Sequence, residues 1–571
     1  MTHATDDRMR TTLEQYKLNT PTPATSTGTV IRQGQAFHLT ADLWSALGGL
    51  LLVAALAFAI IWSASNPSVA GREATRTAAA LLREGRYSQA VALLERTLLD
   101  YDSPQLRIWL SYGYLARRDA ERAGRQAQIA ISKSPPHLLP EAWSQLGRVL
   151  AFEGNHDRAL EAWSQAIAHA QPLTANKAVE AHLRSALWHS AMTFWRRGDW
   201  DPSRRMLERL LEKRDLYGDS ARLKLAQLVA PDDQARSLQL LAELEAGWQS
   251  HSQDGAQWLA GSAVPDLRVP GLREGMPLQA LRRDAQTLRR ALEQASQAQR
   301  AGGDEATIAI IWGNAYLQQD EARLAKRYLE RAVALNPRSA EAHTGLGIAL
   351  MQLGDADRAI SHLQTAARLD RSQPLPHHAL VEVYIQRKQW ASAAHELGVL
   401  SDLQPASVIV RMQRAEYYVQ TGYYADAENE YIGAVNLQRG GAPDAGKVDA
   451  MLALARFYTD VRGMGCEKGL SPAQESLARN PDDPASLDAV GWSLVLCNRP
   501  AEALPHLERA VSLAPDVPRY RYHLAKAYAA LRRYTDARDQ YIRVMDFDPG
   551  GPWERMARSD LAQLPQMHGQ P

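Results

Sequence analysis

The chain has 571 residues, 65 basic against 64 acidic, for a net charge of +1. That balance, with no strong basic block, argues against general affinity for nucleic acid. The length is enough for several ordinary domains. Residues 1–42 contain NTPTPATSTGTV and few large apolar side chains, and they read as a disordered tail. A short partner-binding segment is the alternative there. Next comes LWSALGGLLLVAALAFAIIW (43–62), twenty uncharged residues with Trp44 and Trp62 near its ends. At about 1.5 Å per residue it spans the roughly 30 Å hydrocarbon layer, and tryptophans suit the two interfaces, so a transmembrane helix is expected over 43–63. A signal peptide cleaved at the small residues Ser63, Ala64 and Ser65 is the competing reading, and a buried core helix is a third. Arg8, Arg10, Lys17 and Arg32 precede the segment and Arg72, Arg76, Arg83 and Arg86 follow it, so positive charge alone does not orient it.

Beyond the apolar segment the chain is periodic. Segments 81–99, 109–135, 143–172 and 187–211 each read as amphipathic helices around a tight turn, and together they predict a first array over 71–217. The last of these has Ser203 at a position that is Ala in most of the others. Residues 218–303 depart from the period. Helices are plausible at 219–249 and 277–301, and the Gly- and Pro-dense 250–277 reads as an irregular loop. The whole is expected to be an irregular helical junction between two arrays, with hidden degenerate repeats as the alternative. The period is clearest in the second array, 304–550, where Ala325, Ala359, Ala393 and Ala427 stand 34 residues apart. A stretched unit at 448–481 and further units at 490–515 and 524–549 follow, and 551–571 is expected to supply a terminal helix that covers the last apolar face.

In the first unit of the second array Trp312, Gly313 and Tyr316 share one helical face. Ala325, Leu329 and Ala332 share a face of the next helix, and Pro337 ends it. Small residues at 313, 325 and 332 let two antiparallel helices approach closely. This W…LG…Y…A…F…A…P pattern resembles the tetratricopeptide repeat, and the register carries it through about eleven units. The resemblance implies an all-α solenoid of helical hairpins whose first helices line an inner surface, where partner proteins dock as helical or extended segments.

No catalytic constellation is present: the chain has no HExxH, no Walker-type loop and no GxSxG. GMGCEKG (463–469) reads as a loop, and the adjacent His377 and His378 do not share a helix face, so no metal, cofactor or enzymatic activity is expected. Candidate groove residues, placed by the resemblance at or beside inner-face positions, are Tyr112, Arg148, Phe152, Trp188 and Trp195 in the first array. In the second they are Asn314, Glu382, Glu416, Tyr522 and Lys526. Aromatic side chains at this spacing also read as packing between units. Family members that hold acidic chaperone tails use a Lys/Asn/Arg clamp. Asn314 matches one clamp position, but Thr344, Glu382 and Glu416 supply no cation, which favours a neutral or basic partner segment. Cys466 and Cys497 fall on the same edge of neighbouring units, so a disulfide is expected, with two separate buried thiols as the alternative. The combined expectation is a single-pass bacterial inner-membrane scaffold with periplasmic repeats. Its rivals are a cytoplasm-facing adaptor and an enzyme with a site in 218–303.

Overall fold

The computed structural model describes residues 67–251 and 276–564, and every regular element among them is helical. Ala70–Pro571 forms one compact unit. The tail, the apolar stretch 43–62 and most of the loop 250–277 lie outside the described residues. Among the described residues no helix is long and apolar enough to cross a membrane.

Helices pair and stack in chain order. Pro104–Ala116 packs on Ala120–Lys133, Leu139–Phe152 on His156–Ala170, and Lys177–Arg197 on Trp200–Glu208. In the second half Glu305–Gln318 pairs with Ala322–Leu335 and Ala340–Gln352 with Ala356–Leu369. Pro374–Gln386 pairs with Trp390–Leu403 and Val408–Thr421 with Tyr424–Arg439. Pro484–Leu496 with Pro500–Leu513 and Pro518–Ala530 with Tyr534–Phe547 follow, and Pro552–Gln563 covers the end.

Local chemistry explains where these helices begin. Ser103, Asp119, Asn155, Asp304, Ser339, Asp355, Ser407 and Asp483 each accept a backbone N–H three residues on, which satisfies a donor the first turn leaves open. The turns inside the pairs share one device, a residue in the left-handed region at 118, 154, 198, 320, 354, 388, 422, 498 and 532. Close approach is equally regular. Gly347 stands where a Cβ would meet Leu363 Cγ at 2.5 Å, and Gly491 stands likewise against Leu507. Polar side chains also cross five of the pairs at a spacing of 19 residues: Arg107 with Gln126, His343 with His362, His377 with Glu396, Arg411 with Glu430 and Arg521 with Gln540.

Across 218–303, read above as an irregular helical junction or as hidden degenerate repeats, the described residues are mostly helical. Leu216–Val229 and Gln234–His251 form another helical pair, followed by the long helix Leu278–Arg300. One apolar core runs from Leu187 through Leu223, Leu240 and Leu288 to Leu329 and Ala359 without interruption. The helix Leu216–Val229 is buried on every side from Leu216 to Leu228. Its polar side chains hid this role. Asp219, Arg222, Lys224 and Gln227 break the apolar period, yet each finds a partner inside the core.

The stretched unit at 448–481 holds its inserted residues in helical turns. After Ala450–Arg456 come two π-helical turns, Phe457–Val461 and Gly465–Gly469, before Leu470–Arg479. The extra residues are absorbed as widened helical turns, so GMGCEKG is largely helical.

Candidate functional site

Most candidate groove residues of the first array lie inside the stack. Tyr112, Arg148, Trp188 and Trp195 are all buried, at 0, 1, 3 and 5% exposure, and only Phe152 is partly open. Side-by-side packing of the first helices converts the face into a polar-threaded interior. Arg148 donates to Tyr112 Oη at 2.9 Å and to Ser185 Oγ at 2.5 Å, and Gln145 donates to Ser111 Oγ at 3.1 Å. Trp195 donates its indole N–H to Glu321 at 2.8 Å, across 126 residues of sequence. Lys224 pairs with the same carboxylate and lies 5.0 Å from the Trp195 ring centroid, so Glu321 ties helices of the two halves together. Asp284 lies near this group, and burial pushes its carboxyl above the usual range.

At the far end Tyr522 and Lys526 are also engaged. Tyr522 Oη donates to Asp560 at 2.7 Å and Lys526 Nζ lies 3.3 Å from the same carboxylate, both beneath the terminal helix. Burial raises the Tyr522 phenol first, and the Asp560 hydrogen bond adds to it. Glu382 and Glu416 remain exposed, each accepting only from a glutamine one turn on among the described residues. Asn314 is half-buried and donates to Glu341 at 3.0 Å.

Asn314 opens onto a cleft of 580 Å³ between the long helix Leu278–Arg300, the helix Glu305–Gln318 and the start of Ala340–Gln352. The first of these contributes Arg290, Gln294 and Gln297, which had no place among the sequence candidates because this helix lies outside the period. The signal was nonetheless present: residues 287, 290, 294, 297 and 301 follow helical spacing and point one face of that helix into the cleft. A second cleft of 530 Å³, beside Trp390 and Tyr384, is bordered by the Arg387–Asp357 ion pair. Among the described residues no group of three or more His, Cys, Asp or Glu is placed to hold a metal ion.

Cys466 and Cys497 are joined as a disulfide, with Cα atoms 4.7 Å apart, and the widened turn Gly465–Gly469 brings Cys466 to the C-cap of Pro484–Leu496. Gly465 permits the approach, since a Cβ there would collide with Leu496.

The sequence profile of the tetratricopeptide repeat matches residues 312–374 and 493–552, and a second profile of the same repeat matches 185–214. No curated protein matches the chain. Among solved structures it is similar to the APC/C hetero-tetramer Cut9–Hcn1, at 15% identity and TM-score 0.37, over 82% of this chain and 98% of that one. It is also similar to a tetratricopeptide repeat protein from Parabacteroides merdae, at 15% identity and TM-score 0.36, over 46% and 98% of the two chains. Yeast Tom70 is similar at 13% identity and TM-score 0.34, over 81% and 96%. These profiles fall on helical pairs in both halves, so the chain carries tetratricopeptide repeats at residues 185–214, 312–374 and 493–552.

Proposed function

We propose that this protein is an interaction scaffold that holds segments of partner proteins on the solvent-facing side of its second half, as part of a membrane-anchored bacterial envelope assembly. The observation that carries the binding role is the placement of exposed Glu382 and Glu416, one period apart on successive first helices, in line with the open cleft at Asn314. Exposed carboxylates with acceptor capacity to spare, one period apart on a stack, suit a neutral or basic segment, and repeat stacks of this kind present extended surfaces to partner segments. The apolar stretch 43–62 supports anchoring, which raises the local concentration of scaffold and partner. A disulfide between Cys466 and Cys497 supports repeats that face an oxidising compartment such as a periplasm. Pilus, polysaccharide-export and cytochrome-maturation systems are the kinds of assembly in view.

Photo-crosslinking groups at positions 382 and 416 of the full chain test the binding role. Specific partners captured there, and lost in E382K/E416K, are the expected result. Equal capture from position 330 on a second helix would sink it. A reporter fused to the C-terminus tests orientation: activity of a periplasm-dependent reporter is expected, and activity of a cytoplasmic one alone favours an adaptor facing inward.

A further inference from the structure

We propose that the cleft between Leu278–Arg300 and Glu305–Gln318 reads the main chain of an extended peptide segment that is uncharged and carries small side chains. Three carboxamides, Gln294, Gln297 and Gln318, line it from two helices. All three are exposed, and none makes a side-chain hydrogen bond among the described residues. Each offers a donor and an acceptor on one planar group, the complement of a peptide unit's own C=O and N–H. Asn314 adds a fourth carboxamide, already donating to Glu341 and so holding an acceptor oxygen for a peptide N–H.

Charge and shape select the occupant. Arg290 and Glu341 are the ionised groups lining the cleft, one of each sign, so the lining is neutral. An acidic tail needs several cations and finds one, which donates to Thr287 Oγ1 at 3.3 Å. The floor is small: alanines at 291, 298, 301 and 315 leave the backbone room to descend but no deep side-chain pocket. From Thr287 to Ala301 the wall is about 21 Å long at 1.5 Å per residue, matched by about six residues of extended chain at ~3.4 Å each. A helix would present side chains to these amides and keep its own peptide groups bonded internally, leaving them unanswered. The inference rests on the scaffold reading above and names the partner chemistry of one part of that surface.

The test is fluorescence anisotropy on the full chain in detergent, with three labelled hexapeptides: alternating Ser and Ala, the same peptide N-methylated at alternate residues, and alternating Asp and Ala. Saturable binding of the Ser/Ala peptide is expected, weakened at least tenfold by N-methylation, which removes main-chain donors and leaves side chains unchanged. It is also expected to weaken at least tenfold in Q294L/Q297L, two exposed positions whose effect on folding is checked by thermal melting. Equal binding of the N-methylated peptide, tighter binding of the Asp/Ala peptide, no binding of the Ser/Ala peptide, or an unaffected Q294L/Q297L each overturns the proposal. The crosslinking at 382 and 416 is scored separately, so partners captured there alongside a failed peptide titration leave the scaffold reading standing and remove this one.

Discussion

Lys388 shows how one residue type is held where another fits better. It sits at φ 58° in the turn between Pro374–Gln386 and Trp390–Leu403, and the next amide, Gln389, closes the turn by donating to Tyr384 O at 2.8 Å. One period before and after, Gly354 and Gly422 occupy the same turn at φ 81° and 83°, while Asp320 shares the strain at 57°. A side chain in this region costs about 1–2 kcal/mol, and glycine's extra freedom in the unfolded chain costs about 0.5–1 kcal/mol. Lys388→Gly is therefore expected to stabilise by about 0.5–1 kcal/mol, read as a raised urea midpoint at unchanged slope; a lowered midpoint would remove the argument. Only half of this device was legible in the sequence. The glycines at 354 and 422 mark their turns, but Arg118, Asp320, Lys388 and Arg532 give no sign of a left-handed backbone until the period is laid over them.

The helical pair is the element on which most of the fold was legible, because its constraints are local and recur. Gly313, Gly347 and Gly491 each precede by 16 residues the leucine whose side chain fills the space over them, Leu329, Leu363 and Leu507. Gly347→Ala is expected to destabilise by about 1–3 kcal/mol through overpacking against Leu363. Combining it with Leu363→Ala is expected to cost less than the sum of the single changes, because the added methyl enters the space the leucine vacates. Additive losses in denaturant titrations would place the strain elsewhere. Long-range polar pairing left no such trace. Leu216–Val229 carries no clean apolar stripe, and its burial depends on Glu321, supplied 97 residues after Lys224. Glu321→Ala leaves a buried ammonium without its carboxylate, and a loss of about 3–5 kcal/mol is expected. Adding Lys224→Met to that variant is expected to recover most of the loss. A Glu321→Ala chain as stable as the parent would show that Asp284 suffices as the counter-charge.

At the scale of the whole compact unit the stack returns on itself, which a period of 34 residues cannot announce. Ser88 donates both its backbone N–H and its hydroxyl to Asp546 Oδ1, at 2.9 and 2.7 Å across 458 residues. The Phe547 ring meets Tyr87 edge-on at 5.8 Å and fills the place where a Cβ on Gly85 would lie. Nothing in the local pattern of Ser88 or Asp546 separates them from capping residues elsewhere, so the contact between the helices Tyr87–Asp100 and Tyr534–Phe547 was not legible. Asp546 is 1% exposed, and burial pushes its carboxyl up to about 6, against the opposing pull of the Ser88 donors and of Arg117. The folded chain therefore holds a proton that the unfolded chain releases between about pH 4 and pH 6. Stability from this group is present at the acid end of that window and lost as pH rises through it. Converted at 1.36 kcal/mol per pH unit, the loss by pH 7 is on the order of 3 kcal/mol. Asp546→Asn keeps an oxygen for Ser88 and carries no charge, so it is expected to be more stable than the parent at pH 7 and to flatten the pH dependence between 4 and 6. Phe547→Ala makes the complementary test, since it removes the apolar half of the contact and leaves the carboxylate. Faster amide hydrogen exchange in Tyr87–Asp100 and Tyr534–Phe547, with Ala340–Gln352 unchanged, is the expected signature of a closure that opens locally. Uniformly faster exchange along the stack would mean instead that Tyr87–Asp100 and Tyr534–Phe547 belong to one cooperative unit, and that the closure supports the fold of every repeat between them.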